Sequence, residues 1–173
     1  VPDTPETRPT MDRTRQAIFN ILRSASWALK KNGAPVLQDA HIIDVFAGSG
    51  AMGFEALSQG AESCIFVDNA KLAFEAIQKN IDKIGLSEKA KLVKADIEKI
   101  AANTGAVCSM AFLDPPYYQG LLPKALKILQ DRNYIDTKTL LVLELHKSET
   151  MMDLQVLDER VYGTSKVIFA RLD

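Results

Sequence analysis

The stretch HIIDVFAGSGAMGFEAL (41–57) constrains the chain more than any other. Its opening apolar run is too short for a helix and right for a strand covered on both faces. It passes directly into Gly48, Gly50 and Gly53, spaced G-x-G-x-x-G, and then into helical patterning. A strand turning that tightly into a helix begins a β-α-β unit, whose next strand runs parallel. The theme repeats. SCIFVD (63–68), AKLVKA (90–95), MAFLD (110–114) and TLLVLEL (139–145) read as further strands, with helices expected near 51–59, 70–84, 97–102 and 121–131. Pro123 falls in the first turn of the last helix, where proline is tolerated. LQVLDERVY (154–162) and SKVIFARL (165–172) flank Gly163-Thr164, which predicts a hairpin and hence one late antiparallel strand. The expectation is an α/β fold with a mostly parallel sheet and helices on both faces, in one domain spanning 1–173.

At the other end, Pro2, Pro5 and Pro9 predict an extended lead-in over 1–11. Asp12 is placed as an N-cap, and a helix carrying Ala17, Ile18, Ile21, Leu22 and Ala25 is expected to run to about Lys31, ended by Asn32-Gly33. Residues 1–31 hold six Lys/Arg against three acids; the rest holds fifteen against nineteen, and the net charge is −1. That basic end is a candidate contact for a polyanion, the alternative being an ordinary solvated helix face. No apolar run approaches the ~18–20 residues of a membrane span, and VPDTPETRPT carries no signal-peptide pattern, so a cytoplasmic protein is expected. Cys64 and Cys108 are expected to be reduced, buried thiols. His41 and His146 stand far apart without metal-ligand spacing, and no metal is expected.

Glycines let the backbone turn tightly and let a ligand approach the main chain, and open α/β sheets bind ligands at the carboxyl ends of their strands. Asp68 ends the second strand, 20 residues after Gly48. A carboxylate there can accept both hydroxyls of a ribose, which predicts a nucleoside cofactor. NAD meets this much. Asp44, inside the first strand, would repel a pyrophosphate and suits a cation, and Asp96 could accept from an adenine amino group. Three acids around one glycine turn favour S-adenosylmethionine, whose sulfonium and ammonium are positive. Asp44 could instead be a satisfied structural carboxylate, and Asp96 a helix N-cap.

AFLDPPYY (111–118) carries the second site. Two prolines stiffen the loop and remove two N–H donors. With the Asp114 carboxylate they leave an acceptor-only corner, which suits a substrate bearing an exocyclic –NH2. Tyr117 offers a face on which a base can stack, worth ~1–3 kcal/mol. The implied chemistry is methyl transfer to an amino nitrogen whose lone pair is delocalised into a ring. Asp114 and the Pro115 carbonyl would orient that lone pair and stabilise positive charge growing on nitrogen. A base stacked in a helix cannot reach such a corner, so a flipped or single-stranded substrate is implied.

The glycine turn followed by DPPY resembles the class I S-adenosylmethionine-dependent methyltransferases that modify amino groups. RPTMDRTRQAIFNIL (8–22), DVFAGSGAMGFEALSQGA (44–61), LDPPY (113–117) and YGTSKVIFAR (162–171), in this order, resemble the bacterial RsmD family. That family methylates the N2 amino group of a guanine in 16S ribosomal RNA. The resemblance implies a Rossmann-like, seven-stranded sheet with its last strand inserted antiparallel. It implies cofactor contacts from Asp44, Phe46, Ala47, Gly48, Ser49, Gly50, Gly53, Asp68, Asn69, Asp96 and Ile97. It also implies catalytic contacts from Asp114, Pro115 and Tyr117 with the flipped guanine, and RNA contacts from Arg8, Thr10, Arg13 and Arg15. The partner would be ribosomal RNA or an assembling small subunit, with no membrane and no metal. The family has a basic, glycine-containing stretch ahead of the position matching Val1, so a preceding segment that adds positive charge is expected. An adenine-N6 DNA methyltransferase shares the DPPY signature, an NAD-dependent oxidoreductase the glycine turn, and a non-catalytic nucleotide-binding module would need only the latter.

Overall fold

The computed structural model describes residues 7–173, with side chains from Met11 onward. Helix α1 spans Thr7–Ser24 and is followed by a short 3-10 turn, Ser26–Ala28. Then come β1 (His41–Val45), α2 (Ala51–Ser58), β2 (Ser63–Asp68), α3 (Lys71–Ile84) and β3 (Ala90–Lys94). β4 (Met110–Leu113), α4 (Leu121–Asp131), β5 (Leu140–His146), β6 (Leu154–Tyr162) and β7 (Ser165–Leu172) complete the order. The seven strands form one sheet in the order β3-β2-β1-β4-β5-β7-β6. β3 through β5 pair in parallel, and β7 is antiparallel to both β5 and β6. This is the class I methyltransferase fold.

Alternation along the central strands builds two cores. Ile42, Phe66, Phe112, Val142 and Phe169 face α1, α2 and α3, meeting Ile18, Phe19 and Leu22 of α1 and Ile77 and Ile81 of α3. Ile43, Val45, Val67, Leu113, Leu141, Leu143 and Ile168 face α4, meeting Leu122, Ala125, Leu126 and Leu129. Ile42 and Ile43 are both fully buried, which explains why β1 reads as an unbroken apolar run. Both cysteines are free and buried.

The amino-terminal expectations need correction. The helix starts at Thr7, not after Asp12, and carries Pro9 in its first turn. The missing proline N–H costs nothing there, because the first four N–H groups of a helix have no partner within it. Nor does the helix reach Lys31. Ala25 adopts an extended conformation (φ −67°, ψ 138°), and the chain bends so that Trp27 lies against Phe169, ring centroids 5.1 Å apart, and Ala28 is buried. Asn32-Gly33 ends no helix; it turns the chain between Leu29 and Pro35, which form an isolated antiparallel bridge. The helix expected near 97–102 is a single 3-10 turn, Ile97–Lys99.

Candidate active site

The two motifs meet at the carboxyl ends of β1 and β4. These strands are direct parallel neighbours, with Asp44 opposite Phe112 and Val45 opposite Leu113. The glycine turn and the diproline corner therefore leave the sheet side by side. On the far flank of β1, β2 delivers Asp68, and β3 leads to Asp96.

Each glycine of the turn answers a different need. Gly50 sits at φ 78°, in the left-handed region where a side chain is strained, and a Cβ would also press on Phe54 and Ile77. Gly53 has an ordinary φ, but a Cβ there would stand 2.3 Å from the Phe66 ring and 2.6 Å from Cys64 Sγ, so its hydrogen is what lets α2 lie on β2. Gly48 (φ 54°) has nothing within 4 Å of a Cβ position and leaves open space on that side of the turn. Phe46, just before, also has a positive φ of 61°. An aromatic residue in that region costs about 1–3 kcal/mol and marks a site where the surroundings impose the conformation.

The acids hold this turn. Asp44 Oδ2 accepts the Gly53 N–H at 2.9 Å, which satisfies one free N–H in the first turn of α2. Asp68 Oδ2 accepts the Gly48 N–H at 2.8 Å while its Oδ1 accepts the Ala70 N–H at 2.8 Å. Asp96 Oδ1 accepts the Glu98 N–H at 3.0 Å, as an N-cap of its 3-10 turn. The structural alternatives for Asp44 and Asp96 are therefore realised, and a carboxylate oxygen has a second lone pair to spare for a ligand. A cavity of about 210 Å³ lies among these elements, lined by Phe46, Asp68, Asn69, Asp96 and Ile97.

Burial pushes the Asp44 carboxyl up to about 8; the Gly53 N–H opposes this, and the charges of Asp114 and Asp68 add to it. Asp114 is raised as well, first by desolvation and then by Glu144. Although solvent reaches its side chain, the walls around it and the neighbouring acid dominate. Glu144 shifts the same way through burial. Four carboxyl groups thus crowd one end of the sheet and favour a cationic ligand.

The diproline loop brings residues together that the sequence did not single out. Pro115 is buried, and Tyr117 stands partly exposed. Tyr117, Tyr118 and His146 form an aromatic cluster, with Tyr118 and His146 ring centroids 4.9 Å apart and Tyr117 and His146 5.8 Å apart. Glu149 ties it: Oε1 accepts the Tyr118 N–H at 3.2 Å and Oε2 the His146 N–H at 2.9 Å. Tyr118 has φ 60°, so two aromatic residues in the left-handed region flank the site. A cleft of about 240 Å³ opens between this loop, the start of α4 and the end of β5. The signal for Glu144 was present as one acid in the otherwise apolar TLLVLEL; nothing local marked Tyr118, His146 or Glu149.

At the N-terminal helix, Arg13 is exposed and Arg15 pairs with Asp12 at 2.9 Å. The side chains of Arg8 and Thr10 lie outside the described residues.

Residues 1–171 match the family described as conserved hypothetical protein 95, Cons_hypoth95. Ribosomal RNA small subunit methyltransferase D of Escherichia coli strain K12 is 33% identical over 144 residues, covering 83% of this chain and 67% of that protein. The protein of the same name from Haemophilus influenzae is 30% identical over 149 residues, covering 84% and 71%. The solved structure of Escherichia coli yhhF has a TM-score of 0.78 at 28% identity, over 95% of this chain and 87% of that one. The chain belongs to the Cons_hypoth95 family, is similar to these RsmD proteins, and is a methyltransferase.

Proposed function

We propose that the protein transfers a methyl group to the exocyclic N2 amine of a guanine in small-subunit ribosomal RNA. The observation that carries this reading is the adjacency of the glycine turn and the Asp114-Pro115-Pro116-Tyr117 corner on neighbouring parallel strands. A donor at the first corner and an amine at the second are within reach of one reaction. The RNA class follows the relatives, named as small-subunit ribosomal RNA methyltransferases.

The residues fit S-adenosylmethionine. The open side of Gly48 gives a ligand access to the backbone, the cavity beside Asp68, Asn69, Asp96 and Ile97 takes a nucleoside, and the crowded carboxylates compensate positive charge. In this reading Phe46, Ala47, Ser49 and Gly50 shape the wall beside Gly48. Asp68, already fixed by two backbone N–H groups, presents its remaining lone pairs to a ribose without losing rotamer freedom on binding. When bound, the cofactor supplies an electrophilic methyl carbon on a sulfonium.

Asp114 and the Pro115 carbonyl hold the amine by its hydrogens and aim its lone pair. S-adenosylmethionine held beside Gly48 and Asp68 would supply the methyl carbon to that lone pair, its sulfur keeping the electron pair of the bond given up. The amine then carries one proton too many. Asp114, whose proton affinity is raised by desolvation and Glu144, accepts it and releases it to the solvent at its side. Tyr117 stacks on the base, and Arg13 and Arg15 sit on the helix proposed to track the RNA backbone.

The test is methyl transfer to small-subunit ribosomal RNA with mass mapping of the product. Asp114→Ala should lower turnover by roughly 10²–10³-fold while S-adenosylhomocysteine affinity, read by calorimetry, stays unchanged. A fully active variant, or wild type that methylates no guanine, would overturn the assignment.

A further inference from the structure

Asp114 and Glu144 face the same space from neighbouring strands. Leu113 lies opposite Leu143 in the β4–β5 register, and the next residues along are Asp114 and Glu144. Parallel strands stand about 4.8 Å apart, so the two side chains leave the sheet at one level. Alternation puts them on one face as well: Leu113 and Leu143 both belong to the core under α4, so Asp114 and Glu144 point to the other side, the side of Asp44. In the β5–β7 register Glu144 lies opposite Val167, and Ser165, whose hydroxyl donates to the Tyr162 carbonyl at 3.2 Å, lies opposite His146 two residues further along the same face. The reaction needs one carboxylate. A second, half-buried one beside it calls for another task.

The Watson–Crick edge of guanine carries two adjacent kinds of donor, the N2 amine and N1–H. Adenine and cytosine put an acceptor at the ring nitrogen beside their amine. We propose that Glu144 selects guanine by accepting its N1–H, while Asp114 accepts from the N2 amine that takes the methyl. This rests on the function proposed above and adds the residue that decides which base enters. A ring nitrogen that accepts would face the Glu144 oxygen lone pair to lone pair, which supplies rejection as well as attraction.

2-Aminopurine separates the two ideas, because it keeps the 2-amino group and lacks N1–H. The acceptor guanine is first mapped in ribosomal RNA with wild-type enzyme; finding no N2-methylguanine there ends the function reading itself. RNA ligated to carry 2-aminopurine at that one position is then compared with the guanine form. Wild type should lose about 10–10²-fold in kcat/KM on 2-aminopurine. Glu144→Gln can donate its amide to the bare ring nitrogen. Its amide oxygen can still accept N1–H from guanine, so the guanine rate should fall less than the 2-aminopurine rate recovers, shrinking the preference at least about tenfold. Equal wild-type rates on both bases would overturn the proposal, and that comparison needs no variant. A variant that falls by one factor on both bases, with its melting temperature and S-adenosylhomocysteine affinity intact, would overturn it too.

Discussion

Asp44 shows how one side chain couples folding to pH. Its ordinary pKa is near 3.8, and burial lifts it to about 8 in the fold. Between those values the folded chain holds a proton that the unfolded chain has lost, so this group's contribution to stability falls as pH rises from about 4 to about 8. Asp44→Asn keeps an oxygen for the Gly53 N–H and cannot ionise. Melting temperatures of the ligand-free protein measured across that range should decline less steeply in the variant; parallel slopes would show that Asp44 does not titrate there. Asp44, Asp68 and Asp96 stand out in the sequence because they interrupt, end or follow an apolar run. Their existing bonds to the Gly53, Gly48 and Glu98 N–H groups were not legible there, since those depend on how the turn folds back. The second carboxyl partner of Asp114 was hidden for the same reason. Residues 114 and 144 are neighbours only through the register of two strands.

At the scale of elements, α2 packs on β2 so closely that Gly53 has no room for a Cβ. Gly53→Ala would drive a methyl group to 2.3 Å from the Phe66 ring, so α2 must lift or the ring must move. The expected cost is about 1–3 kcal/mol, read as a lower urea midpoint with unchanged slope. Lifting α2 also withdraws the Gly53 N–H from Asp44, so cofactor affinity should fall in the same variant. The strands were legible almost residue for residue, because their apolar runs are short, separated and bounded by Gly, Pro or Asp. The terminal hairpin was legible from Gly163-Thr164. Helix α1 was not: proline was weighed as a breaker where its position in a first turn makes it harmless, and the helix ends where Trp27 finds Phe169, a contact 142 residues away. Tyr118 conceals a similar long-range cause. Its left-handed backbone is held by Glu149, which no local pattern announces.

For the molecule as a whole, charge distribution matters more than its sum. A net charge of −1 gives no general attraction to nucleic acid, so any attraction is local, and the excess of basic residues over 1–31 is its proposed source. Arg13→Glu should weaken binding to ribosomal RNA and reduce the slope of log affinity against log salt by about 1–2. A slope identical to wild type would move the RNA-facing surface elsewhere. Strand–helix alternation made the parallel half of the sheet legible, whereas the position of β7 between β5 and β6 is not coded by any local pattern and was expected only from the family resemblance. That position has a consequence for biosynthesis. β7 leaves a translating ribosome after the other six described strands, yet it closes the edge of β5 and gives β6 its neighbour. Val167, the register partner of Glu144, arrives with it. A nascent chain stalled before that strand would hold every glycine and proline of both motifs and still leave the β5 edge beside Glu144 unpaired, so the site waits on a segment encoded well downstream of either motif.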